Sequence, residues 1–258
     1  PDGAAMARLD GAPMSHPTPM GVLDIGSNSI RLVVFDSISR MPIPLFNEKA
    51  LSGLGRNIAQ TGRLAEEGVA SAFANLGRFV SIAEAMGVRR ENLDAVATAA
   101  VREAENGPDF VNEVARRIGI HIRTVSGFEE ARLSALGVIA GFPQADGVVG
   151  DLGGGSLELI VCDKGEAKEM TTLPLGPLRL AQTGIGGTRK LASHIGTHLA
   201  EVSWLKGALK GRAFYAVGGA WRSVAKAYMA ETGYPLHIIH GYRVPAKDLI
   251  GFLGQVTE

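Results

Sequence analysis

The sequence predicts an α/β protein made of two domains of similar topology. The first observation is a repeat: DIGSNSIRL at residues 24–32 and DLGGGSLEL at residues 151–159 share Asp, an aliphatic residue, Gly, two small residues, Ser, an aliphatic residue, a charge and Leu. The second is that each copy joins two strand-like runs. The third is that alternating helical and extended patterns follow both copies, so that one cycle of elements occurs twice.

The first half begins with three strand-like runs joined by short turns rich in Gly, Ser and Asn, which predicts an antiparallel meander. A helix is expected next, because the apolar residues Val69, Phe73, Leu76, Val80 and Ala83 have helical spacing. Gly87 is the expected end of that helix. The remaining segments predict, in order, a buried strand, a helix with Pro at its start and Gly at its end, a strand and a helix: LDAVATAA, PDFVNEVARRIG, IHIRTVS and FEEARLSALGVIAG.

The second half repeats the pattern with three strands, one helix, a strand and a helix: GVVGDLG, SLELIVCD, AKEMTTLPL, RKLASHIGTHLAEVSWLKGAL, AFYAVGG and AWRSVAKAYMAE. We place the first domain at residues 19–128 and the second at 129–258, and expect the second to be incomplete at its C-terminal end. Residues 1–18 are rich in Pro, Gly and small residues and are expected to be a disordered leader or a cloning remnant.

Composition excludes several classes of function. Lys plus Arg equals Asp plus Glu, 26 each in 258 residues, so the net charge gives no case for nucleic acid or an anionic membrane as partner. No apolar run approaches the ~18–20 residues of a membrane span. Cys162 is the single cysteine, which excludes an internal disulfide, predicts a core position for its thiol, and favours a reducing, cytoplasmic location.

The two glycine turns are candidate phosphate-binding sites. A hairpin tip of Gly and Ser presents backbone N–H groups without an intervening Cβ, and glycine also allows positive φ and close backbone approach. The alternative is a pair of ordinary tight turns, but the matched copies favour phosphate binding. The candidate residues are Ser27, Asn28 and Ser29 in the first turn and Gly153, Gly154, Gly155 and Ser156 in the second.

Charged residues flank both turns. Asp24 and Asp151 each end a buried strand beside a turn, where a carboxylate can hold Mg²⁺ or another divalent cation. For Asp24 the alternative is capping of the turn. At the charged position of the repeat, Arg31 stands in the first copy and Glu158 in the second. If the domains face each other across a pseudo-two-fold axis, Arg31 binds phosphate and Glu158 adds a carboxylate near metal or water; the alternative for both is a solvated strand residue.

The turns resemble the phosphate loops of the actin-like ATPase superfamily, and an ordered set of segments over roughly residues 20–245 resembles the exopolyphosphatase/guanosine pentaphosphate phosphatase (Ppx/GppA) family. That resemblance implies two actin-like (ribonuclease H-like) domains with an interdomain cleft. It also implies Mg²⁺-dependent hydrolysis of the terminal phosphate of polyphosphate or the 5′ γ-phosphate of pppGpp. The segments are GVLDIGSNSIRLVVFD, TGRLAEEG, ATAAVREAENG, SGFEEARLSALGV, DLGGGSLELIV, LPLGPLRL and AVGGAWRSVAK.

The resemblance also assigns roles to particular residues. It implies that Glu130 is the catalytic glutamate, that Glu158 is a second glutamate associated with water or metal, and that Asp151 is associated with metal. Phosphate-binding residues by the same resemblance are Arg31, Arg102, Gly218 and Gly219. The chemistry agrees, because hydrolysis of a phosphoanhydride needs a positioned water, a group that orients or deprotonates it, and cations that cover the oxygen charge.

Some positions depart from the family pattern. Leu157 stands where the family commonly has Thr, and Ala220 and Trp221 stand where small residues and Thr are common, so that wall of the pocket is expected to differ. Arg222 could still reach a phosphate. The bland interpretation of FEEAR is a solvent-facing acidic first turn of a helix, stabilised by the helix dipole.

Two other functions remain open from sequence. A kinase or chaperone-like ATPase of the same fold would use the turns to hold ATP, and a sensor would bind polyphosphate or a guanosine alarmone without turnover. Polyphosphate and pppGpp are not distinguished, and homodimerisation is compatible with a long polyanion. His194 and His198 have the i, i+4 spacing of a metal pair, but no third ligand is evident and surface positions are favoured.

Overall fold

The computed structural model describes residues 18–39 and 42–257. Apart from Thr18, the leader expected at residues 1–18 lies outside the described residues. No helix in the described ranges is both long and apolar enough to cross a membrane.

The first sheet has five strands in the order β3-β2-β1-β4-β5. The strands β1, β2 and β3 form the expected antiparallel meander, and β4 and β5 join parallel to β1. The elements of this half are β1 Met20–Ile25, β2 Ser29–Phe35, β3 Pro44–Leu51, α1 Ile58–Thr61, α2 Glu66–Ala85, β4 Leu93–Ala97, α3 Ala99–Glu103, α4 Gly107–Ile118 and β5 Ile122–Thr124.

The core of this half lies between the sheet and its helices. Alternate residues of β1 and β2 are buried, as expected of strands with one face on the core. The predicted helix at 66–85 is confirmed, and it packs Leu76, Phe79 and Ala83 into the same core. Gly87, in the left-handed region at φ 83°, follows the helix end.

The second sheet has four strands in the order β8-β7-β6-β9. As in the first sheet, a three-stranded antiparallel meander carries a parallel neighbour, β9, on its first strand. The elements of this half are α5 Gly127–Gly141, β6 Gly147–Leu152, β7 Leu157–Asp163, β8 Glu166–Leu173, α6 Pro177–Gln182, α7 Thr188–Ala200, α8 Leu205–Leu209, β9 Ala213–Val217, α9 Gly219–Glu231 and α10 Ala246–Thr257.

Helices cover both faces of this sheet, so the central strands are buried along most of their length. The helix α5 packs on one face, where Cys162 lies in the core as predicted. The helices α7 and α8 cover the other face around Leu159 and Leu173. The α/β fold class predicted from the sequence is therefore confirmed.

Two element boundaries differ from the sequence prediction. The strand predicted over LDAVATAA ends at Ala97, because Ala99, Ala100 and Val101 are buried as the helix α3 instead. Alanine has the highest helix propensity, and Arg102 N–H closes the first turn onto the Thr98 carbonyl at 3.0 Å.

The prediction of a single helix over residues 189–209 is wrong. The segment is split into α7 and α8, because Val202 turns inward and packs beside Leu173 in the core. The domain boundary at residues 128 and 129 stays a proposal.

Candidate active site

The two glycine turns lie against each other in the cleft between the sheets. A Cβ added to Gly155 would lie 3.0 Å from Ser27 Oγ and 3.2 Å from Ala99 Cβ, and one added to Gly154 would lie 3.4 Å from Ser27 Cβ. None of the glycines at 153–155 has positive φ. Gly155 therefore allows close approach across the cleft, whereas a Cβ at Gly153 would meet only the Ser156 oxygen of its own turn, at 3.6 Å. The positive φ that glycine also permits is not used.

Both turns leave amide groups available to an anion. Gly26 N–H donates to the Ser29 carbonyl, and Gly153 N–H donates to the Ser156 carbonyl, each at 3.0 Å. Within the described ranges, the next amides of both turns donate to no protein acceptor; they belong to Ser27, Asn28, Gly154, Gly155 and Ser156. Successive free N–H groups in a turn form a concavity suited to phosphate oxygens.

Four carboxylates converge on the cleft: Asp24, Glu130, Asp151 and Glu158. Desolvation raises the pKa of each of them, and the charge of Asp151 raises the pKa values of the other three further. The fold therefore brings together all the acids predicted for the site. Glu158 is buried, Glu130 and Asp151 are partly buried, and Asp24 is exposed. Such a concentration of like charge is typical of a functional site, where cations and substrate supply compensating interactions.

Glu130 points into the cleft from the first turn of α5. Ser126 caps that helix by accepting the Glu129 N–H at 3.1 Å. Arg102 Nη1 donates to Glu130 Oε2 at 3.0 Å and to the Val125 carbonyl at 2.9 Å. Burial raises the pKa of Glu130 against the lowering by Arg102. The neighbouring Glu129 instead pairs with Arg123, and its side chain is 40% exposed against 17% for Glu130.

Glu158 is the most deeply buried of the four acids, with 1% of its surface exposed. Thr172 Oγ1 donates to Glu158 Oε1 at 2.8 Å from the facing position of β8. Burial, together with the charges of Glu130 and Asp151, raises the pKa of Glu158 to about 7, against the lowering by hydrogen bonds from Ser156 and Thr172. Glu158 is therefore a carboxyl group that exchanges its proton near neutral pH.

Asp24 and Asp151 occupy equivalent positions on the two sheets. Asp24 lies opposite Arg31, and Asp151 lies opposite Glu158, in the corresponding strand pair. Asp151 accepts a hydrogen bond from Ser134 Oγ. Desolvation raises the pKa of Asp24. Within the described ranges no turn amide donates to the Asp24 carboxylate, so turn capping gains no support.

The two aspartates suit a magnesium ion. Mg²⁺ prefers oxygen ligands and is usually held by one or two carboxylates together with substrate phosphates and water. Asp24 and Asp151 supply one carboxylate from each sheet, and no three His, Cys, Asp or Glu side chains in the described part of the chain form a complete protein cage. Two carboxylates supply fewer ligands than Mg²⁺ needs, so a cation held here would also need oxygens from substrate or water.

Arg31 lies opposite Asp24 but directs its side-chain hydrogen bond to the neighbouring strand. Its Nε donates to Asn47 Oδ1 at 2.8 Å on the neighbouring strand β3, while its charge lowers the pKa of Asp24. Arg222 has the corresponding effect on the pKa of Asp151.

The turn before α9 lies directly over Asp151. Gly218 has φ +109°, and a Cβ there would lie 2.4 Å from the Leu152 carbonyl and 3.2 Å from Asp151 Oδ1. The adjacent Trp221 packs edge to face on Phe214, with 5.5 Å between ring centroids. The bulky residue that departs from the family pattern thus packs on a sheet residue.

The two histidines with metal-pair spacing lie outside this cleft. His194 and His198 contact each other, with 4.8 Å between ring centroids, and no third ligand joins them in the described part of the chain.

Sequence reasoning missed the groups that hold these acids. Ser134 lies four residues after Glu130, on the same face of α5, so helical spacing could have indicated it. Thr172 lies opposite Glu158 in the ladder, which strand register could have indicated. Nothing local indicated Arg179, which donates to the Gly155 carbonyl at 2.9 Å and pairs with Glu103.

Comparisons with known proteins agree with this geometry. The model of the Ppx/GppA phosphatase family matches residues 33–258. Exopolyphosphatase 1 of Mycobacterium leprae (strain TN) is 34% identical over 166 residues, 63% of this chain and 48% of that protein. The chain thus spans about half the length of the curated relatives it matches.

Solved structures of 23–24% identity share the fold. A crystal structure of an exopolyphosphatase from Cytophaga hutchinsonii superposes with a TM-score of 0.80 and 24% identity, covering 93% of this chain and 80% of that one. The Aquifex aeolicus member of the Ppx/GppA family superposes with a TM-score of 0.66 and 23% identity, covering 85% and 71%. The shared fold confirms the predicted mixed α/β architecture built around two sheets.

Proposed function

Because the chain belongs to the Ppx/GppA phosphatase family, we propose that it hydrolyses the terminal phosphoanhydride bond of inorganic polyphosphate. The observation that carries the proposal is that four carboxylates lie in the same cleft as the free amides of two glycine turns. The 5′ γ-phosphate of pppGpp contains the same type of bond and is the second candidate substrate. Polyphosphate is placed first because the relatives from Mycobacterium leprae and Cytophaga hutchinsonii are described as exopolyphosphatases.

In the proposed reaction, the turn amides and Arg102 bind oxygens of the terminal phosphate. Glu130 orients a water molecule and accepts its proton as the water oxygen attacks phosphorus in line and the bond to the bridging oxygen breaks. The raised pKa of Glu130 suits a base working near neutral pH. Glu158, with a pKa of about 7, is the second group that can hold the water or receive a proton.

A divalent cation, which Asp24 and Asp151 would hold, supplies charge stabilisation at the phosphate oxygens when bound.

The two alternative functions, an ATPase or kinase and a sensor, would use the same glycine turns. An ATPase or kinase would not need the Arg102–Glu130 pair, and a sensor would not need a buried base with a raised pKa. Both observations favour hydrolysis.

The test is phosphate release in the presence of Mg²⁺ from long-chain polyphosphate, pppGpp and ATP. Glu130→Ala should lower the rate at least ~10²-fold, the typical contribution of a positioned acid–base group. Glu129→Ala is the matched control. It removes a carboxylate from the adjacent position, where Glu129 forms a surface ion pair with Arg123, and it should change the rate less than about 2-fold.

Each contrary result would support a different function or mechanism for this protein. Turnover of ATP alone would identify an ATPase. Tight binding of polyphosphate or pppGpp without release of phosphate would identify a sensor. Equal activity of Glu130→Ala and wild type would remove Glu130 from the mechanism.

A further inference from the structure

Residues of the short helix α6 donate hydrogen bonds to the carbonyl groups of the second glycine turn. Leu178 N–H donates to the Gly154 carbonyl at 3.0 Å, and Arg179 Nε donates to the Gly155 carbonyl at 2.9 Å. Gly176, just before the helix, lies so close that a Cβ there would be 2.3 Å from the Gly154 oxygen. The turn therefore rests on α6 through two consecutive carbonyls.

These carbonyl contacts determine where the neighbouring amides point. In a trans peptide the C=O and the following N–H point in opposite directions, and no cis peptide occurs in the described chain. The amides of Gly155 and Ser156 are therefore turned away from α6. They are among the amides without a protein acceptor, so Arg179 helps to aim donors that are free to bind an anion.

The other end of Arg179 reaches the first domain. Its Nη2 pairs with Glu103 at the end of α3, 76 residues away in sequence. Glu103 also lies 4.0 Å from Arg102 Nη2, and Arg102 Nη1 donates to Glu130 at 3.0 Å. A continuous path of polar contacts thus joins the Gly155 carbonyl to the carboxylate of Glu130.

We propose that Arg179 is a positioning residue of the active site. It fixes the second glycine turn and, through Glu103, the Arg102–Glu130 pair, so that the phosphate-binding amides and the water-orienting carboxylate keep one geometry across the cleft. This proposal rests on the proposed function. Arg179 itself binds neither the phosphate nor the water.

Gln182 explains why the fold should survive the loss of Arg179. On the same helix, Gln182 Nε2 donates to the Gly55 carbonyl at 3.2 Å, and its Oε1 accepts the Ala59 N–H at 3.2 Å. The helix α6 therefore stays attached to the first domain by contacts that do not involve Arg179.

The test compares Arg179→Gln, Glu103→Gln and the double variant in polyphosphate hydrolysis. The matched control is Arg212→Gln, because Arg212 also bonds one carboxylate, Asp146, and backbone carbonyls, those of Cys162 and Ala208. It is similarly buried, with 24% of its side chain exposed against 22% for Arg179. We expect Arg179→Gln to lower kcat about 10-fold or more, since misplacement of reacting groups by about 1 Å can cost about 10²-fold.

Two further readouts separate positioning from a general loss of stability. The melting temperature of Arg179→Gln should fall no further than that of Arg212→Gln, whose kcat should stay near wild type. The double variant should be no slower than the slower single variant, because residues on one path are not additive. Wild-type kcat in Arg179→Gln, or multiplicative losses in the double variant, would overturn the proposal.

Amide hydrogen exchange distinguishes this proposal from the proposed function. If the wild type releases no phosphate, the proposed function fails, but positioning can still be measured. Arg179→Gln should then accelerate exchange both at the turn, at the hydrogen-bonded amides of Gly153 and Leu178, and around Glu130, whereas Arg212→Gln should not. Unchanged exchange at both segments would overturn the positioning role.

Discussion

Glu158 shows how a single buried residue acquires its chemistry. Its equivalent in the first sheet, Arg31, faces Asp24 as an opposite charge, whereas Glu158 faces Asp151 as a like charge. Like charges directly opposite each other on neighbouring strands are destabilising. Burial and this repulsion both favour the protonated carboxyl, which is why the pKa of Glu158 rises to about 7.

This raised pKa predicts how stability depends on pH. Between the ordinary pKa of 4.5 and about 7, the folded protein binds more protons at Glu158 than the unfolded chain. Stability is therefore expected to fall as pH rises through this window, by roughly 3 kcal/mol for a shift of this size. Glu158→Gln removes this pH-dependent loss of stability. The free energy of unfolding of the variant should therefore rise relative to that of the wild type between pH 5 and pH 8.

The measurement is urea unfolding at both pH values with chelator present, so that no cation compensates the charge. An equal difference between variant and wild type at the two pH values would contradict the raised pKa.

At the scale of elements, the second glycine turn depends on the approach of α6 as much as on its own sequence. Gly176 has φ −63° and ψ 141°, which any residue can adopt. What requires glycine is space, because a Cβ there would lie 2.3 Å from the Gly154 oxygen and 2.3 Å from the Gly155 carbonyl carbon. A side chain at this position must push α6 and the turn apart.

Gly176→Ala is therefore expected to destabilise the protein by about 1–3 kcal/mol, the usual cost of overpacking. It should also slow phosphate release, because the turn amides move. Gly186→Ala is the matched control, since it lies just before α7 with nothing within 4 Å of its added Cβ, and its effect should stay within about 0.5 kcal/mol. Equal free energies of unfolding for the two variants would contradict the close packing.

At the scale of the whole molecule, the candidate active site lies where the two sheets face each other. Each sheet contributes one aspartate, Asp24 from β1 and Asp151 from β6. The free turn amides likewise come from one turn of each half. A cation held by both aspartates would therefore also hold the two domains in register.

We expect removal of divalent metal with EDTA to abolish phosphate release and added Mg²⁺ to restore it. Asp24→Asn and Asp151→Asn should each raise the Mg²⁺ concentration for half-maximal rate about 10-fold or more, within the range seen when metal-site groups are lost. Asp163→Asn, at the exposed end of β7, is the control and should leave the Mg²⁺ requirement unchanged. Full activity in EDTA would exclude a metal role for either aspartate.

The sequence alone determined the repeat and the two meanders, because periodicity, turn chemistry and a duplicated motif are local signals. The resemblance to the Ppx/GppA family added the prediction of Glu130 as the catalytic acid. The sequence did not determine the break between α7 and α8, where Val202 enters the core. Tertiary structure alone decided that Glu130, and not Glu129, faces the cleft, because its partner Arg102 lies 28 residues away. It also decided the contact between the glycine turns and the path through Arg179 to Glu103, because residues so distant in the chain meet only when both sheets have folded and closed.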